Sequence, residues 1–283
     1  MSASPLRAPL LRRARDLGGH DDPGPRPLPA PDRLLRWGRW PLLSLSSAMR
    51  VHTDERVIAL TYDDGPDPVS TPQVLRELRA HGVHATFFVL AEAAERNPEL
   101  LRSMLAEGHE IGLHGVDHTL LTTVSGREAA RAVREAKQRV EAVTGQRLRM
   151  YRPTYGIQGM AQFLTARLLR MDVVFWTAWA QDWLDDSAEA VARRAVSAIH
   201  PGAVLLLHDT TDDTDDANLP RPTFSRGEVT RRILDDLSAD GYRVLPVGTL
   251  LAGYPAVRAV TITRPKVSAR GPRRGGPGPS APA

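Results

Sequence analysis

From residue 57 onward the chain alternates between two kinds of apolar pattern. Short, nearly continuous apolar runs occupy 57–62, 83–90, 109–113, 148–152, 172–177, 202–207 and 242–245. Runs of this length predict strands buried on both faces. Most of the intervals between them carry helical spacing. Thr71 precedes Pro72, Val74, Leu75 and Leu78 form one face, and Gly82 ends it. Asn97-Pro98 opens the next helix and Gly108 closes it. Ser125 with Glu128 spells a capping box, and Ala129, Val133, Ala136 and Val140 follow as a stripe. Helices are also expected around 159–170, from Ser187 to about 199, and over 226–239.

Seven strands alternating with helices predict a mostly parallel sheet. The expected fold is α/β: a distorted (β/α)7 barrel with parallel strands, closed or incomplete. Chemistry in such barrels gathers at the C-terminal ends of the strands. Functional residues are therefore sought just after each run.

Composition divides the chain into three. Residues 1–50 are basic and rich in Pro and Arg, and are expected to be largely disordered. Residues 51–256 form the folded domain, and 257–283 are a basic, Gly/Pro-rich, disordered tail. The net charge of +4 hides this asymmetry: the first 50 residues carry +5, the last 27 carry +6, and the domain between them −7. The basic balance thus belongs to the ends, and no nucleic-acid partner is expected for the domain. The apolar, basic stretch Leu34–Leu43 could touch a membrane surface weakly. Packing on the domain as an N-terminal lid is the expected placement. No apolar run approaches the ~20 residues that span a bilayer. No apolar segment of a secretory signal follows the early arginines, and the polar stretch Asp16–Asp22 argues against a twin-arginine leader at Arg12-Arg13. The expected location is the cytoplasm; an extracellular one would require a different start of the chain. There is no Cys, which excludes disulfides and thiol catalysis. The sequence does not address the oligomeric state.

Chemistry-bearing residues do fall after the strand runs. Thr61-Tyr62-Asp63-Asp64-Gly65-Pro66 follows the first. Adjacent carboxylates disfavour each other's ionisation, so a cation is the simplest partner, although Asp-Asp-Gly-Pro alone would suffice as a turn. His114 and His118 follow the third run, Arg152-Pro153-Thr154-Tyr155 the fourth, Gln181-Asp182-Trp183 the fifth, and His208-Asp209 the sixth. Each is weak by itself. Five at the same end of successive strands are hard to explain as structure.

The ordered set resembles the polysaccharide deacetylase family, the NodB-like carbohydrate esterases of family 4. Thr61–Gly65 is similar to its TFDDG, His114–His118 to its HxxxH, Arg152–Tyr155 to its RxPY, Asp182-Trp183 to the end of its DxxDW, and Leu206–His208 to its LxH. The resemblance covers roughly residues 54–250 and implies a metal-dependent hydrolase that removes N-acetyl groups from an N-acetylated carbohydrate. It implies Asp64, His114 and His118 as ligands of one divalent metal, with Asp63 as general base oriented by Arg152. It implies His208 as general acid oriented by Asp182, an oxyanion contact from the Tyr155 backbone N–H, and an acetyl pocket lined by Trp183 and Leu206. An Asp and two His suit Zn2+, with Co2+, Ni2+ or Mn2+ as alternatives. The chain departs from the pattern at Thr154 (Pro in the family), Trp179 (Asp) and Leu113 (often Asn). These departures bear on the substrate, and keep a non-sugar amide, a cyclic imide or a natural-product intermediate open as alternatives. A non-catalytic carbohydrate-binding protein on the same scaffold would be expected to have lost these residues.

Overall fold

The computed structural model describes residues 10–13 by their backbone, and residues 46–210 and 222–262 in full. The Leu34–Leu43 stretch, residues 211–221 and the tail beyond Ile262 lie outside the described residues. The strands are β1 (Leu10–Arg13), β2 (Ser47–Val51), β3 (Val57–Asp63), β4 (Thr86–Leu90), β5 (Glu110–Gly115), β6 (Met150–Tyr151), β7 (Asp172–Val173), β8 (Ala178–Trp179), β9 (Val204–His208), β10 (Arg243–Leu245) and β11 (Ala256–Val260). The helices are α1 (Thr71–Ala80), α2 (Ala91–Arg96), α3 (Pro98–Ala106), α4 (Gly126–Thr144), α5 (Met160–Leu168), α6 (Ala188–Ala198), α7 (Arg226–Ala239) and α8 (Val247–Gly253).

The main sheet is parallel throughout and runs β7-β6-β5-β4-β3-β9-β8. Strand β10 shares the β4 edge of β3, pairing Val57–Ala59 while β4 pairs Thr61–Asp63. The ends of this path, β7 and β8, do not pair with each other, so the barrel is open. It is a half-barrel wrapped by helices, the incomplete (β/α)7 form. Of the apolar run 172–177 only Asp172–Val173 forms a strand, and β8 follows just beyond the run's end. Its middle backbone bonds elsewhere: Phe175 N–H donates to the Ala48 carbonyl, and the Val174 and Phe175 carbonyls accept from Arg152.

Each face of the sheet has its own core, which is why the strand runs read as continuous. Ile58, Leu60, Tyr62, Leu205 and Leu207 point outward to the helices. Val57, Ala59, Phe88, Met150, Val174 and Val204 point inward, with Val247 and Leu250 of α8 closing the strands' N-terminal end. Continuing the period of two, Thr61, Asp63, Leu206 and His208 also face the interior, at its open end. The capping box forms as expected: Glu128 N–H donates to Ser125 Oγ (3.3 Å), and Ser125 N–H donates to Glu128 Oε2 (3.0 Å).

The fold extends past the boundaries at 51 and 256. Strand β11 pairs antiparallel with β2 and parallel with β1, so Ser47–Val51 and Ala256–Val260 belong to a second, small sheet. Composition hid these strands because both border Arg-rich sequence.

Gly202 fastens β2 to the barrel. Its carbonyl accepts from Val51 N–H (2.9 Å), its φ is +78°, and a Cβ there would lie 2.3 Å from the Val51 carbonyl oxygen. Gly202→Ala is expected to lower unfolding stability by about 1–3 kcal/mol or more in chemical denaturation. An unchanged midpoint would contradict this reading of the junction.

Candidate active site

Asp63 ends β3 and sits in register with His208 of β9 and Phe88 of β4. Asp64 follows with φ +83°, a conformation uncommon for a residue with a Cβ. On β5 the register against β4 slips by one at His114: Leu113 pairs with Val89, but Gly115 pairs with Leu90. Irregularities of this kind re-aim a side chain. Asp64 Oδ1 lies 3.1 Å from His114 Nε2 and 3.4 Å from His118 Nε2. One ligand atom from each of the three residues falls within 4.8 Å of the others.

The donor set fits a cation. His114 Nδ1 is 2.8 Å from the Arg152 carbonyl, so Nδ1 carries the hydrogen and a neutral ring turns its Nε2 lone pair toward Asp64. Both Asp64 oxygens are buried without a hydrogen-bond donor in bonding geometry. Facing acceptors in a buried site require a proton or a metal ion between them. Burial pushes the Asp64 carboxyl up, but His114, His208 and His118 outweigh it and hold it down to about 2. Burial likewise disfavours a charged His114, and Asp63 and Asp64 overcome this and raise it.

Asp63 has different partners. Arg152 Nη1 donates to Asp63 Oδ1 (2.7 Å) and to Thr61 Oγ1 (2.8 Å). The guanidinium is fully buried and stacks 4.1 Å from the Phe88 ring centroid. Leaving either member of such a pair alone costs about 3–5 kcal/mol. Asp63 Oδ2 lies 3.9 Å from His114 Nε2.

His208 stands on another side of Asp64, with Nε2 3.7 Å from Asp64 Oδ2. Its Nδ1 is 2.8 Å from Asp182 Oδ1, and its backbone N–H donates to Asp182 Oδ2 (2.8 Å). Buried Arg226 donates from Nη1 to the Asp182 carbonyl (2.7 Å) and to Oδ2 (2.8 Å). Burial raises Asp182, but His208 and Arg226 outweigh it and lower its pKa. Burial lowers His208, but Asp182 outweighs it, with Asp64 and Asp63 adding, and the pKa rises to about 9.

Tyr155, exposed and at φ +58°, lays its ring 4.2 Å from the His118 ring centroid. Trp183 meets His208 edge-on at 5.8 Å, and Trp179 and Trp176 continue the array at 6.1 and 6.4 Å. Leu206 is buried in register between Thr61 and Trp179. Thr154, where the family has Pro, donates from its hydroxyl to the Thr119 carbonyl (2.9 Å). It thereby ties the Tyr155 turn to the residue after His118, a bond proline could not make. All ten residues singled out from the sequence stand at one end of the barrel.

Sequence reasoning missed Thr61 as a partner of Arg152 and Arg226 as a partner of Asp182, and it gave Asp209 no role of its own. The buried Asp209 carboxylate accepts from Gly65 N–H (3.0 Å) and Thr71 Oγ1 (2.6 Å), and burial, with the Asp64 charge adding, pushes it up to about 7. Asp209 stood in view beside His208; its reach to Gly65 and Thr71 did not. Arg226 carries no local signal, being one more Arg at a helix start.

Residues 50–174 match the family profile described as polysaccharide deacetylase, a span ending before Asp182 and His208. The peptidoglycan-N-acetylmuramic acid deacetylase PdaC of Bacillus subtilis is 34 % identical over 209 residues, covering 74 % of this chain but 42 % of that protein. The chain thus spans less than half the length of this relative. A peptidoglycan-N-acetylglucosamine deacetylase of Bacillus cereus is 34 % identical over 204 residues, covering 71 % of this chain and 91 % of the relative. A chitooligosaccharide deacetylase of Sinorhizobium fredii is 34 % identical over 62 % of this chain and 81 % of its own length. Among solved structures, a peptidoglycan N-acetylglucosamine deacetylase superposes with a TM-score of 0.66 at 27 % identity, covering 75 % of this chain and 95 % of that one. With a near-full-length relative, a matching parallel half-barrel and the ordered motifs at its open end, this chain belongs to the polysaccharide deacetylase family.

Proposed function

We propose that this protein removes N-acetyl groups from an N-acetylated carbohydrate, releasing acetate and a free amine. The observation that carries the reading is the placement of two differently held proton carriers around one three-residue cluster. Asp63 is clamped by Arg152, and His208 is held by Asp182, each within 4 Å of a member of the Asp64-His114-His118 set. The names of the relatives, deacetylases of peptidoglycan and chitooligosaccharides, support the same substrate class.

In this reading Asp64, His114 and His118 hold one divalent ion, with Zn2+ the best match to one carboxylate and two imidazoles and Co2+, Ni2+ or Mn2+ also suited. Bound there, the ion supplies Lewis-acid polarisation of the scissile carbonyl and an acidified water. Asp63 accepts the proton of the attacking water at its carboxylate, and Arg152 keeps that carboxylate aimed. His208 donates a proton from Nε2 to the departing amine, a poor leaving group without it. Asp182 fixes the tautomer that leaves Nε2 facing the site. The Tyr155 N–H contributes to binding the developing oxyanion. Trp183 and Leu206 enclose the acetyl methyl.

Trp179 admits a second substrate class for the same chemistry. An indole stands where the family pattern has a carboxylate, and it joins Trp176 and Trp183 in one aromatic array beside His208. Such a wall stacks on a sugar ring or on an apolar amide. Acetate release from chitin oligosaccharides, peptidoglycan fragments, amino-sugar monomers and simple acetamides separates the two. Turnover of a sugar is expected; release from simple acetamides alone would move the assignment to a non-sugar amide.

Asp63→Asn is expected to cut turnover by about 10²-fold or more while leaving metal stoichiometry intact. His114→Ala is expected to lose metal and activity together. Near-normal rates in the first, or full metal occupancy in the second, would remove that residue from its role.

The pH–rate profile should fall on the basic side as His208 loses its proton. Its pKa is raised to about 9, chiefly by Asp182 against burial; a dication on Asp64 cancels part of the pull, so the limb lies below that value in the loaded enzyme. Asp182→Asn removes the largest raising influence, and the limb should move to lower pH. A limb that stays in place would separate Asp182 from the acid.

A further inference from the structure

One buried carboxylate takes no part in the chemistry above. Asp209 is 1 % exposed and directly follows His208 at the end of β9. Its Oδ1 accepts from Gly65 N–H (3.0 Å) and its Oδ2 from Thr71 Oγ1 (2.6 Å). Its carbonyl accepts from Ser70 Oγ (2.6 Å), and its own N–H points at the Asp63 carbonyl (3.4 Å). One residue thus joins the strand carrying His208 to the turn carrying Asp63 and Asp64 and to the first turn of α1. Asp67 locks the far side: its Oδ1 accepts from Ser70 N–H and Oγ (both 2.7 Å), and its N–H donates to Thr71 Oγ1 (2.8 Å). A Cβ on Gly65 would lie 2.1 Å from Asp209 Oδ2, so only glycine permits the approach.

This arrangement is costly unless it serves the neighbouring residue. A third buried carboxylate beside Asp63 and Asp64 adds repulsion to an already anionic site. Asp64 itself is held at φ +83°, a strained conformation that persists only where its surroundings over-determine it. Asp209 supplies that determination through the very next N–H, at Gly65. We propose that Asp209 is a positioning residue for the cation site: by anchoring Gly65 and the start of α1, it fixes Asp64 in the left-handed conformation that aims its carboxylate at His114 and His118. The inference rests on the reading of those three residues as a cation site.

The test is Co2+ affinity of the full-length protein, read by calorimetric titration and by the visible spectrum of the bound ion. Asp209→Asn keeps an oxygen for Gly65 N–H and offers Thr71 Oγ1 an amide donor, so geometry survives without charge. Asp209→Ala removes both anchors. Alanine is expected to weaken Co2+ binding about 10–100-fold, with asparagine staying within about threefold of wild type. Thr71→Val removes one anchor and should fall between them. A folded Asp209→Ala protein with wild-type Co2+ affinity and spectrum would overturn the proposal, as would an asparagine variant as weak as alanine. If alanine fails to fold, Thr71→Val decides, and undiminished affinity there overturns it. Wild-type protein that binds no Co2+ would overturn the cation site as well; wild-type binding that survives these variants overturns only the role of Asp209.

Discussion

Asp63 and Asp64 are consecutive, both 2 % exposed, and both surrounded by protein. Like charges so close oppose each other, and the architecture of the site follows from how each is balanced separately. Arg152 balances Asp63 across the barrel interior, with Phe88 against its face. The barrel gives way to accommodate it: the β7 run breaks after Val173, and the freed carbonyls of Val174 and Phe175 bond the guanidinium. Asp64 receives no such partner. Its balance comes from imidazoles, whose ring nitrogens are orderly ligands for an ion. The two neighbours therefore separate into a carboxylate held free by a cationic side chain and a carboxylate that calls for a metal.

The second constraint is that Asp63 and His208, the proposed base and acid, are each themselves held. His208 is fixed by Asp182 through both its ring and its backbone, and Asp182 is fixed by Arg226. The layering recurs at His114, whose Nδ1 is tied to the backbone carbonyl of the same Arg152 that holds Asp63. A displacement of Arg152 would thus reach the proposed base and one imidazole together. Backbone conformation carries the same mark. Asp64, Tyr155 and Gln181, three of the four non-glycine residues at positive φ among the described residues, lie in or directly beside the site.

Much of this was legible in the sequence because it depends on local order. Strand runs buried on two faces announced the parallel sheet, and the barrel rule then pointed to their C-terminal ends, where the five motifs stood. Three features were not legible, for physical reasons. The opening of the barrel depends on where the Val174 and Phe175 carbonyls bond, which no local pattern encodes. Strands β2 and β11 find each other across more than 200 residues and border Arg-rich segments, so composition drew the domain too short. Arg226 reaches Asp182 across 44 residues from an unremarkable helix start. Thr154 shows the reverse case: a departure from the family pattern, read in the sequence as bearing on the substrate, is in space a hydrogen bond steadying the loop beside His118.

The central claim is that Asp64, and not its neighbour Asp63, is the anionic ligand of a divalent ion. Crystals grown with zinc and measured at the zinc absorption edge test this most directly. The account predicts one strong anomalous peak about 2.0–2.2 Å from an Asp64 oxygen and from Nε2 of His114 and His118, with Asp63 still paired to Arg152. A peak bridged by Asp63, or no peak between the two histidines at full zinc occupancy elsewhere, would contradict it.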